Sequence, residues 1–168
     1  MPPVTTFQSD DARAGDSRDP GPGILRRFLL ALLVFGMVGT LAELFLLEHT
    51  ESVSQWVPIV LLGIGLVAAI ALAIRPAPPT VRTLQATMLA FVASGLAGLY
   101  LHYRGNAEFE LEMRPALHGF ELFRESLGGA TPSLAPGTMV QFGLLGLALT
   151  FRHPALLRKR RPASTGEE

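Results

Sequence analysis

Four long apolar runs separated by polar links constrain this chain more than any other feature. They lie at about 28–47, 56–74, 81–103 and 138–152. About 20 apolar residues wound as a helix cross the roughly 30 Å of bilayer hydrocarbon. A helix is also the open-ended structure that satisfies every backbone polar group within itself. If the runs formed the interior of a water-soluble domain, almost nothing would remain to build a polar surface. Only 17% of the 168 residues are charged, against about 25% in soluble domains, and those charges sit at the ends and between the runs. The expected fold is therefore all-α: a four-helix transmembrane bundle.

The flanks set the limits of each run. Residues 1–23 are polar and rich in Pro, Gly, Asp and Arg, with no apolar period, so a disordered tail is expected. Arg26 and Arg27 then open the first span. A cleaved signal peptide is the rival reading, but the leader is long, the apolar run exceeds an h-region and no small-x-small site follows. Pro58 falls near the first turn of the second span, where a missing N–H costs little. Arg75 and the prolines at 76–79 stop that span. The fourth run is the shortest, opened by Pro136 and Gly137 and closed by Arg152, His153 and Pro154; local bilayer thinning would accommodate it. A membrane domain over 24–157 is followed by a basic, then polar tail at 158–168.

Arginine sets the orientation. Four crossings put Arg26, Arg27, Arg75, Arg82, Arg152, Arg158, Lys159, Arg160 and Arg161 on one side. The opposite side carries Arg104, Arg114 and Arg124, diluted by Glu48, Glu51, Glu108, Glu110, Glu112, Glu121 and Glu125. The expectation is a multi-pass protein of the inner (plasma) membrane with both termini cytoplasmic. Lys159 is the only lysine, a usage that points to a GC-rich bacterial source.

Between the third and fourth runs, Met113, Leu117, Phe120, Phe123 and Leu127 recur at three- and four-residue spacing. Glu110 and Glu112 near the start, Pro115 in a first turn and Gly128–Gly129 as a C-cap predict an external amphipathic helix over about 113–127. It would lie on the outer surface or cap the bundle.

Few residues carry chemistry. Glu43 falls about one turn inside the outer end of the first span, where a carboxylate is costly unless protonated, partnered or turned into the bundle. Gly36, Gly39 and Thr40 share its face, so the stripe is expected to face the bundle. Counted at about 1.5 Å per residue, Gln141 is near its level, which makes a Glu43–Gln141 hydrogen bond the expected pairing. That pair would fix helix register or serve as a proton, ion or ligand site. Ser94, Gly98, Gly143 and Gly146 offer close helix approach.

At the outer boundary, Glu48, His49 and His102 are candidates for a metal or proton site. The alternatives are histidines hydrogen-bonded to water or headgroups, beside an aromatic belt of Trp56, Tyr100 and Tyr103, or a haem between the two histidines. Asn106, Glu108, Glu110 and Glu112 would form a cation-binding lip, a strand-like link or a solvated acidic loop. Arg158, Lys159, Arg160 and Arg161 read as a topology anchor attracting anionic lipid.

The chain has no cysteine, which removes disulfides, thiolate metal sites and thiol nucleophiles. No Walker loop, dinucleotide fingerprint or Ser-His-Asp pattern occurs, and no motif requires a cofactor. Net charge is zero, so nothing points to nucleic acid. The expected partner is the lipid bilayer, with a membrane-protein partner or a second copy. The sequence favours a non-enzymatic accessory or interaction protein; the alternative is a small transporter or sensor using Glu43 as a proton or cation site.

Overall fold

The computed structural model describes residues 21–48, 50–129 and 135–157. His49, most of the expected first tail, and the tail from 158 with its basic cluster Arg158, Lys159, Arg160 and Arg161 lie outside the described residues. Helices account for nearly all that is described: α1 (Gly21–Leu46), α2 (Val53–Ile74), α3 (Pro78–Met113), α4 (Gly119–Leu127), α5 (Gly137–Thr150) and α6 (Pro154–Leu157). No strand occurs among the described residues. Three of the helices, α1, α2 and α3, are long and apolar enough to cross a membrane. At 14 residues, α5 is about 21 Å long and shorter than the hydrocarbon layer.

The starts and stops follow from local chemistry. α2 opens three residues before the expected position, because Gln55 Oε1 accepts hydrogen bonds from the backbone N–H groups of Glu51 (2.7 Å) and Ser52 (3.0 Å). Pro58 therefore lies inside the helix rather than at its first turn, where it leaves the Ser54 carbonyl without its usual amide donor. α3 opens on two prolines whose missing N–H groups are not needed in a first turn. There Thr80 Oγ1 accepts from Ala77 N (3.1 Å) and donates to Arg75 O (2.7 Å). α1 begins at Gly21, ahead of the apolar run, and carries Arg26 and Arg27 on its first two turns.

α1, α2, α3 and α5 close a ring of neighbours, each packed on the next, while α4 and α6 lean on α3. Residues 47–52 and 75–77 are links too short for anything but antiparallel neighbours. Arg26 Nη2 donates to the carbonyls of Phe151 (3.3 Å) and Arg152 (3.4 Å) just past α5, so the start of α1 meets the end of α5. Arg26, Arg27, Arg75, Arg82 and Arg152 thereby share one end of the bundle, called here the arginine end. The other is the glutamate end. Leu33, Met37, Leu62, Leu84, Met88 and Phe91 fill the centre without exposure, while Phe35 (81%), Val67 (69%) and Ile74 (80%) point outward. An outward surface this apolar is what a membrane-crossing helix presents.

Glycine sets the distance between α3 and α5. On α3, Gly95 and Gly98 receive the start of α5. A Cβ on Gly95 would stand 2.8 Å from Val140 N and 2.9 Å from Pro136 O, and one on Gly98 would stand 2.8 Å from Pro136 Cβ. Halfway along the seam the roles exchange: a Cβ on Gly143 would stand 2.7 Å from Met88 O and 2.6 Å from Val92 Cγ2, and Gly146 lies under Met88. Close approach of backbones is how helices gain dispersion contact where no water drives them together. Gly65 does the same for α2, under Phe91 and Met37.

Two expectations about the long connection change. α3 runs ten residues past the expected end at 103, so 104–113 is neither strand nor loop but helix. Two i,i+4 ion pairs, Arg104–Glu108 (2.7 Å) and Glu110–Arg114, support the extension. Pro115 then ends α3 rather than opening the next helix, since the residue before a proline is driven from α geometry; Arg114 sits at φ −137°, ψ 79°. The helix expected over 113–127 is confined to Gly119–Leu127.

Candidate functional site

The polar side chains singled out from the sequence do not meet. Glu43 lies in the last turn of α1 with an exposed side chain, and Gln141 on α5 is also exposed. No hydrogen bond joins them among the described residues. The stripe expected to face the bundle divides along its length. Gly36 is covered by Phe142, whose Cε1 would stand 2.6 Å from an added Cβ, whereas Gly39 has nothing within 4 Å.

Glu48 serves the backbone. At φ 51° it takes the left-handed conformation that turns the chain after α1, at a cost of about 1–2 kcal/mol for a residue with a Cβ. Its amide donates to Phe45 O (3.1 Å) and its carbonyl accepts from Thr50 N (2.7 Å). Trp56 Nε1 donates to Thr50 O (3.1 Å) and steadies the same turn. His102, half-buried on α3, has a buried Nδ1 with no hydrogen-bond partner. Among the described residues no three His, Asp or Glu side chains gather as metal ligands.

The polar cluster that does form joins the end of α3 to α4. Asn106 is 2% exposed, and its Nδ2 donates to Ser126 O (3.0 Å). Ser126 Oγ donates back to Leu122 O (2.6 Å). Gly129 lies directly on Asn106, with the Cγ only 2.6 Å from a would-be Cβ. Arg114 bridges Glu110 and Glu125, the latter at 3.1 Å, and Arg124 adds a second contact to Glu125 at 2.8 Å. Hydrogen bonds from Arg114 and then Arg124 hold the Glu125 carboxyl below the usual range. The rings of Tyr103 and Phe123 lie 5.8 Å apart.

The lip expected at Asn106, Glu108, Glu110 and Glu112 is therefore divided. Asn106 is internal, Glu108 and Glu110 are matched by arginine, and Glu112 is exposed. None of the three readings of this stretch, a lip, a strand-like link or an acidic loop, places Asn106 inside the protein. The usable signal was the spacing of Tyr103, Asn106 and Glu110 at three and four, one face of a continuing helix. Phe120 (78%) and Phe123 (45%) leave an apolar stripe of α4 uncovered.

At the arginine end, His153 is held below its ordinary value by burial first and by the charge of Arg26 second. Its Nδ1 faces the amide of Ala155 at 3.2 Å. Compared with known proteins, the chain matches no family model, no curated sequence and no solved structure.

Proposed function

We propose that this chain is a four-span protein of a bacterial inner membrane that works by association, with a larger membrane protein or a second copy of itself, rather than by catalysis. In this reading α1, α2, α3 and α5 are the spans, α4 rests at the outer surface with its phenylalanines toward the interface, and both termini are cytoplasmic. Local thinning accommodates the short α5. The arginine end takes the cytoplasmic side because it carries more arginine, five described residues against three at the glutamate end.

One observation carries the association reading. The outer half of α1 presents a carboxylate, Glu43, and an open glycine, Gly39, away from the bundle. Facing lipid, Glu43 costs up to about 2.5–3.5 kcal/mol, less toward the interface. A helix from another protein seated on Gly39 would offset that cost with close packing and a hydrogen-bond donor.

The native chain has no thiol, so Gly39→Cys carries a single benzophenone label. Illumination in native membranes is expected to give a stoichiometric protein adduct. Gly63→Cys on α2, equally open but with no carboxylate one turn away, is expected to give none. Labelling of lipid alone from position 39 would overturn the reading. The alternative, a transporter or sensor using Glu43 as its proton or cation site, rests on the same intramembrane carboxylate; loss of flux in Glu43→Gln with the fold intact would favour it.

A further inference from the structure

α1 and α2 leave a groove of about 800 Å³ on the outside of the bundle, running from Arg27 at the arginine end to Val38, with Ala31, Ala69 and Ala73 among its small lining residues and Phe35 beside it. Two features decide what fits. Arg27 to Val38 is eleven residues of helix, about 16 Å, which equals about one leaflet, half of the hydrocarbon thickness. The mouth is also cationic: Arg27 has no hydrogen-bond or ion-pair partner among the described residues, and no Asp or Glu is described at that end of the bundle. Its neighbour Arg26 is occupied with the Phe151 and Arg152 carbonyls.

We infer that this groove is a binding site for an anionic phospholipid of the leaflet at the arginine end, with the headgroup phosphate on Arg27 and one acyl chain lying along α1 toward Val38. The apolar walls take the chain by burial. The guanidinium takes the phosphate by charge-assisted, two-pronged hydrogen bonds, and its position at the leaflet boundary matches where a phosphate sits. The site rests on the membrane reading above and lies toward the arginine end of α1, whereas Gly39 and Glu43 lie toward its glutamate end.

The test is native mass spectrometry of purified, delipidated protein reloaded with phosphatidylglycerol or phosphatidylcholine. Wild type is expected to retain one phosphatidylglycerol at least tenfold better than phosphatidylcholine. Arg27→Ala is expected to bring the two lipids level. Ala31→Phe, at an exposed position that tolerates the ring, fills the groove and is expected to lower both. Arg82→Ala, an exposed arginine outside the groove, is expected to leave retention unchanged. Equal retention of both lipids by wild type, an Arg82→Ala loss as large as that of Arg27→Ala, or full retention by Ala31→Phe would each overturn the site. A protein that needs detergent yet gives one of those results overturns the site alone. A protein that stays dissolved without detergent overturns the membrane reading and the site together.

Discussion

The two ends of the bundle use arginine in opposite ways. At the glutamate end, Arg104, Arg114 and Arg124 are each matched to a carboxylate, and Glu125 receives two of them. At the arginine end, Arg27, Arg75, Arg82 and Arg152 meet no carboxylate among the described residues, and Arg26 donates to backbone carbonyls instead. One side-chain type is thus a fastener within the protein at one end and an uncommitted charge at the other. The difference teaches that one residue type can serve tertiary structure at one end and stay free for the surroundings at the other. Orientation follows the number of arginines on each side rather than net charge, so the ion pairs at the glutamate end bear on how α4 is held.

If the ends are held by different means, they should fail differently. The largest effect is expected from Gly143→Leu, in the stretch of the α3–α5 seam where packing alone holds the helices. The added side chain meets Met88 O and Val92 N, backbone atoms that no rotamer change can move aside. A cost at or above the upper end of the usual overpacking range of about 1–3 kcal/mol is expected, read as lost monodispersity and a collapsed thermal transition in detergent. A near-native melt would show that the seam is looser than the glycine contacts imply.

Asn106→Ala should act at the glutamate end alone. Losing the buried donor to Ser126 O costs about 1–3 kcal/mol and frees α4. Trypsin is then expected to cut at Arg124 faster than in wild type, with no change in hydrogen exchange at Leu33 and Met88.

The smallest effect, and the sharpest contrast, is with pH. His153 is held low, so the unfolded chain binds that proton more tightly than the folded one. Its stabilising contribution is complete above the ordinary histidine value of about 6.5 and is lost as pH falls through the lower folded value. Glu125 is likewise held low; its contribution is complete above the ordinary carboxylate value of about 4.3 and is lost only as pH falls further. Residue-resolved hydrogen exchange on acidification should therefore show α6 loosening before α4, and His153→Gln should remove the first step. Loosening of both ends in one step would break the comparison.

Much of the bundle was readable from run length and punctuation. α2 lies within three residues of its apolar run at both ends, while α1 starts seven residues ahead of its run and α3 ends ten residues after its own; bilayer thickness explains the apolar length but not these polar extensions. The continuation of α3 was hidden because its charges interrupt the apolar pattern. The pairs that extend it, Arg104–Glu108 and Glu110–Arg114, stand four apart in plain view. Pro115 misled because it suits a helix start and a helix stop equally, and only the neighbouring packing decides. Helix faces were the least readable. Gly36 and Gly39 look alike in the sequence, yet one lies under Phe142 and the other is open. Gly95, which accepts α5, was overlooked beside Ser94 and Gly98, since small residues at three- and four-residue spacing define several faces at once. The Glu43–Gln141 pairing failed to form for the same reason: equal depth does not specify which way a side chain turns.

The unbroken course of α3 has a mechanical consequence. Its 36 residues make a beam about 54 Å long, well beyond the roughly 30 Å of hydrocarbon, with no proline between Thr80 and Met113 to act as an elbow. A push that leans one tip by about 5° swings the opposite tip by about 5 Å. Asn106 and the Arg114–Glu125 pair tie α4 to one end of that beam, and Arg75 and Arg82 flank the other.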